Sequence, residues 1–200
     1  MAERILQDIE EQKKRLTIAK INKNTAEKAR AYWNLAKAYY FLSEFHQEIE
    51  YLKQYLSIAE EVGDRAGSAG RAYGYLGCAY YSLGDSQTAI EYHNQHIRIT
   101  KEVGNRAGEG CAYGNLGLAY HNLEEFQRAI EYHNQHLSIA KEVGDRECEG
   151  KAYGSLGNVY HSLEEFQRAI EYHNQHLSIA KEVGDRANQG RAYGLSLIHI

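Results

Sequence analysis

From Phe126 to Val143 the apolar positions fall three and four residues apart: Phe126, Ala129, Ile130, His133, Leu137, Ala140 and Val143 share one stripe, while Glu125, Arg128, Glu131, Gln135 and Glu142 take the other side. That spacing predicts an amphipathic α-helix. The same alternation along the chain predicts first helices near 26–41, 66–82, 106–122 and 146–162. Second helices follow near 44–62, 85–103, 125–143 and 165–183. Gly63, Gly104, Gly144 and Gly184 come after the last apolar residue of each second helix, where a left-handed residue ends a helix. Asp64, Asn105, Asp145 and Asp185 come next, each able to accept N–H groups of the following helix. Connections this short force neighbouring helices antiparallel. On the second helices, Glu124 with Arg128 and Glu164 with Arg168 stand four apart and are expected to pair.

The pattern is a repeat. The block Tyr120 to Arg146 returns forty residues later as Tyr160 to Arg186, with only Asn122 replaced by Ser162, and more diverged forms run from Tyr80 and from Tyr39. The expected organisation is a capping half repeat over 1–24, repeats over 25–64, 65–104, 105–144 and 145–184, and the start of a further repeat over 185–200. In the first segment Ile9 to Lys20 matches a second helix without its first, placed to cover the apolar side of the next unit. The link DRAGSAGRAY is one residue longer than NRAGEGCAY, so the first junction is expected to be offset. The last six residues, Leu195 to Ile200, break the pattern and look like a translated sequencing-adapter end, so the natural protein is expected to continue.

Glycines inside helices need a reason, since each costs about 1 kcal/mol against alanine. Gly74, Gly77, Gly114, Gly117, Gly154 and Gly157 recur three apart and are expected where a neighbouring helix lies on bare backbone. No strand precedes them, which removes a phosphate-binding loop.

Charge and cysteine content narrow the function classes. The net charge of −4 argues against a sequence-independent grip on nucleic acid. Residues 1–37 carry +4 and the remainder −8, an asymmetry that could steer an acidic partner to the N-terminal end. Cys78, Cys111 and Cys148 are widely spaced with no Cys-x-x-Cys, which suggests neither a disulfide framework nor a zinc site. No signal-like or membrane-spanning run is visible, and a cytoplasmic setting is expected.

Leu116, Gly117, Tyr120 and Ala129, with Tyr113, resemble the tetratricopeptide repeat, as do Leu76, Gly77, Tyr80, Ala89 and Leu156, Gly157, Tyr160, Ala169. The first unit departs, with Ala36 and Glu48 at the small-residue positions, and the usual closing proline is missing. The resemblance implies an all-α fold, an α-solenoid of antiparallel helix pairs wound into a superhelix. It also implies a non-enzymatic scaffold that takes a peptide of a protein partner in a concave groove, without cofactor. The forty-residue variant looks most like the arrays of Pins-type G-protein-signalling modulators, which implies G-protein or cell-polarity signalling. It is also similar to arrays that precede a caspase-like peptidase domain, which implies a regulatory arm instead.

First helices line the inner face of such arrays. The recurring first-helix residues away from the core stripe are Arg30, Asn34 and Lys37; Arg71, Tyr75 and Cys78; Cys111, Asn115, Leu118 and Asn122; and Lys151, Ser155 and Asn158. These are the candidate peptide-binding residues, with donors for a main chain and apolar anchors between them. The His-Asn-Gln-His pairs, His93 with His96, His133 with His136 and His173 with His176, offer a metal-binding alternative. Their place on the core stripe favours packing, and no nucleophile stands beside a base.

Overall fold

The structure, a computed structural model, describes residues 2–184, and every regular element among them is helical. The expected further repeat, Asp185 as a cap and the adapter-like tail lie outside the described residues. The chain divides into two compact units, Met1–Ile99 and Thr100–Ile200.

The first unit holds α1 (Ala2–Ile21), α2 (Thr25–Phe41), α3 (Phe45–Glu61), α4 (Gly70–Ser82) and all but the end of α5 (Ser86–Glu102). The second holds α6 (Arg106–Asn122), α7 (Phe126–Val143), α8 (Arg146–Ser162) and α9 (Phe166–Glu182). Within each unit, sequential helices pack in pairs, α1 on α2, α2 on α3, α6 on α7 and α8 on α9. α1 starts seven residues earlier than the match at Ile9 suggested, and it buries Ile9, Leu16 and Ala19.

The helix ends follow local chemistry. Gly63, Gly104, Gly144 and Gly184 are left-handed, with φ between 68° and 73°. Asp64 accepts from the N–H groups of Gly67 and Ser68, Asn105 from Gly108 and Asp145 from Cys148, at 2.9–3.0 Å. Such caps are worth about 1 kcal/mol each. The turn inside each helix pair is also left-handed, at Ser43, Gly84, Glu124 and Glu164, although only one of these is glycine. The expected Glu124–Arg128 and Glu164–Arg168 pairs therefore do not form. Those glutamates stand in the turn, outside the helix, and Arg128 and Arg168 instead hold Glu125 and Glu165 at 2.8 and 2.9 Å.

The extra residue at the first junction is absorbed by a π-helical turn, Arg65–Ala69, in which the Gly70 N–H reaches back to the Arg65 carbonyl. One residue too many widens the turn and leaves the helices on either side intact.

Leu35, Leu76, Leu116 and Leu156 anchor the core and are wholly buried. The predicted α7 stripe is shifted: Ala129, His133, His136, Ile139 and Ala140 are its buried residues, while Val143 is 43% exposed. As expected, a neighbouring helix lies on the bare backbone of the in-helix glycines, and it does so through imidazole rings. A Cβ on Gly77, Gly117 or Gly157 would stand 2.4–2.5 Å from the ring of His93, His133 or His173. A Cβ on Gly74, Gly114 or Gly154 would likewise meet the ring of His96, His136 or His176 at 2.8–3.1 Å, so each of these repeats has two fitted glycine–histidine pairs. The first repeat uses another fit, Ala36 beside Leu52, both in one buried cluster. Tyrosines stack alongside, Tyr39 on Tyr51, Tyr80 on Tyr92, Tyr120 on Tyr132 and Tyr160 on Tyr172, with ring centres 5.2–5.5 Å apart.

Candidate functional site

In the second unit the first helices α6 and α8 present their recurring residues to one cavity of about 420 Å³. Cys111, Asn115 and Leu118 from α6 and Lys151, Ser155 and Asn158 from α8 all line it; Asn122 does not. The spacing explains the convergence, since residues four and three apart on a helix share a face. Gly114 and Gly154 keep that face low, so that His136 and His176 from the second helices form part of the wall. Cys148 joins them. Its position, three residues before Lys151, continues the same face by one turn and was the available signal for including it.

The cavity is polar at Asn115, Lys151, Ser155 and Asn158 and apolar at Leu118. The Lys151 ammonium is held by Glu147 at 2.7 Å, an exposed i,i+4 pair of the weak class. Burial, with help from Asp145, pushes the Cys148 thiol up to about 12. Kept protonated, that thiol is a poor nucleophile and a poor metal ligand.

Two arginines of the second unit each tie the first helix of a repeat to the end of its second helix. Arg106 grips Glu142 through Nε at 2.9 Å and Nη2 at 2.5 Å, and also holds the buried Glu109 at 2.6 Å. Arg146 repeats the arrangement with Glu182 and Glu149. Guanidinium geometry suits such two-pronged contacts.

In the first unit the candidate residues are dispersed. Arg30 is engaged by Glu27 at 2.9 Å, and Asn34 donates to Gln12 of α1 at 3.2 Å, so α1 covers this end of the face. A cavity of about 540 Å³ between α1 and α2 includes Asn34, Lys37 and Phe41. Lys37 and Arg71 instead gather on Trp33, 5.9 and 5.2 Å from its ring centre, and Tyr75 meets the same ring edge-on at 5.0 Å. Cys78 is half-buried and lines none of these cavities.

The first histidine of each pair is a packing group. His93, His133 and His173 are at most 1% exposed. Burial lowers His93 to about 4 and His133 to about 3, so both stay neutral. Among the described residues no three His, Cys, Asp or Glu side chains come together as a metal site.

No curated protein matches the chain. Among solved structures it is similar to RapI in its apo form, at 17% identity and a TM-score of 0.88 over 98% of this chain and 55% of that one. It is also similar to a signal-transduction ATPase with a tetratricopeptide repeat sensor from Pyrococcus horikoshii, at 22% identity and a TM-score of 0.77 over 86% and 27%. A Rap protein complexed with Competence and Sporulation Factor matches at 16% identity and a TM-score of 0.79 over 96% and 53%. The chain thus spans about half the length of the Rap proteins, and at these identities the likeness is one of fold. The sequence family described as Tetratricopeptide repeat matches residues 27–102 and 108–182. Helix pairs, small-residue positions and family match agree, and the chain belongs to the tetratricopeptide repeat family.

Proposed function

We propose that the chain is a non-enzymatic scaffold that binds a peptide segment of a protein partner on its first-helix face. The observation that carries this reading is the convergence of Cys111, Asn115, Leu118, Lys151, Ser155 and Asn158 on one cavity of about 420 Å³. That volume suits a side chain or two of a bound segment. Amide and ammonium donors at Asn115, Asn158 and Lys151 match main-chain carbonyls and acidic side chains, and Leu118 offers an apolar anchor. The structurally similar Rap protein solved with Competence and Sporulation Factor supports a binding role for such arrays. The Pins-type resemblance supports a cytoplasmic partner in G-protein or cell-polarity signalling.

The test is selection of peptides from a random display library on the parent chain, followed by affinity measurement with Asn115→Ala and Lys151→Glu. Both variants are expected to weaken the selected peptides at least tenfold while melting like the parent. Retention of parent affinity by both would refute this face as the binding surface.

A further inference from the structure

Glu48 is out of place. The equivalent positions of the later repeats are Ala89, Ala129 and Ala169, all wholly buried. Glu48 is only 2% exposed, and its Oε2 has no hydrogen-bond partner. Burial pushes its carboxyl up to about 7. A carboxylate in this state is costly unless something pairs with it. Packing alone would be met by an alanine, as the sister repeats show.

The carboxylate lines a small cavity, about 90 Å³, whose other walls include Trp33, Tyr40, Phe41 and Tyr75. Tyr40, Phe41 and Tyr75 are 48%, 70% and 41% exposed, so the aromatic walls open to solvent. The Tyr40 and Phe41 rings meet edge-on at 5.6 Å, as Trp33 and Tyr75 do at 5.0 Å. Aromatic faces attract cations, and the Trp33 ring already draws in Lys37 and Arg71. Neither has paired with the Glu48 oxygen left over.

We propose that this cavity of the first unit receives a single alkylammonium head, of the kind presented by a lysine side chain or its methylated form. Size supports that choice. The space equals about three waters at roughly 30 Å³ each, and falls well below the roughly 300 Å³ at which drug-sized pockets begin. A head fits while its chain leaves past Phe41. Charge supports it too: an ammonium supplies the partner that Glu48 lacks, and the aromatic walls take its alkyl groups. Lys37 is the built-in competitor, since it also lines the cavity. This site does not depend on the peptide face of the second unit, because the head can be offered alone.

Trp33 is the only tryptophan of the chain and forms a wall of the cavity, so its fluorescence reports occupancy directly. The whole chain is titrated at constant ionic strength with n-butylammonium, with choline, and with 3,3-dimethylbutan-1-ol as choline's uncharged counterpart. A saturable change with at least one ammonium and none with the alcohol is expected; tighter butylammonium points to unmodified lysine, tighter choline to a methylated head. Glu48→Gln should weaken binding tenfold or more with the helical circular dichroism retained, and Tyr75→Leu should weaken it several-fold. Lys37→Met should bind at least as tightly as the parent. No saturation with either ammonium, an equal response to the alcohol, or undiminished binding by Glu48→Gln overturns the proposal. Binding that appears only in Lys37→Met also overturns it, by making the cavity the seat of the chain's own lysine.

Discussion

Substituting alanine for Gly117 would put a methyl group where the His133 ring already lies. The new Cβ would stand 2.5 Å from Cε1 and Nδ1 and 2.7 Å from Nε2, and the ring, 1% exposed, has nowhere to go. Helix propensity favours alanine by about 1 kcal/mol, while overpacking a filled core costs typically about 1–3 kcal/mol. At so short a distance the overpacking cost should fall in the upper part of that range, about 2–3 kcal/mol, and Gly117→Ala should lose about 1–2 kcal/mol net. The first repeat contains the compensated form: Ala36 and Leu52, 2% and 1% exposed, hold the same two positions. His133→Leu alone removes two buried ring nitrogens without hydrogen-bond partners, but leaves a gap over Gly117, so its net effect should stay within about 1 kcal/mol. The double variant should recover the parent's stability or exceed it, a coupling of about 1–3 kcal/mol in the favourable direction. Urea unfolding at pH 7.5 followed by helical circular dichroism measures all four corners, with midpoints compared because repeat arrays need not unfold in two states. Equal stability of Gly117→Ala and parent, or a double variant as low as the sum of its singles, would refute the fitted-pair reasoning.

Two further outcomes follow from the same core. The unfolded chain takes up protons at its histidines near 6.5, whereas His93 and His133 resist until about 4 and 3, so stability should fall as pH drops below about 6.5. By pH 5 each costs roughly 2 kcal/mol. The raised Glu48 works the other way between about 4.5 and 7, but as one group it should not reverse the slope, and a urea midpoint unchanged from pH 7.5 to 5 would contradict the buried imidazoles. Leu116→Ala, at a wholly buried position, should cost roughly 2–5 kcal/mol, and an unaltered melting temperature would contradict its place in the core.

The period, the helices and their ends were legible because they depend on neighbours in sequence. Gly63, Gly104 and Gly144 are left-handed and Asp64, Asn105 and Asp145 cap the next helix as their residue types dictate. Even the surplus residue of the first junction showed in the spacing, though not its form as a π-helical turn. The turns at Ser43, Glu124 and Glu164 gave no such sign, because these side chains tolerate a left-handed backbone without requiring it. The candidate face was legible as rows along α6 and α8. Its meeting in one cavity, the share taken by Cys148, His136 and His176, and the dispersal of Arg30, Asn34 and Lys37 beneath and beside α1 were not. Glu48 shows the difference most sharply. Sequence marked it as a departure at a small-residue position, but only tertiary packing made it a buried carboxylate facing Trp33, Tyr40, Phe41 and Tyr75. Backbone preference acts over a few residues and can be read along a chain, whereas burial and ring contact depend on which helix arrives opposite, and that is decided by how repeats pack.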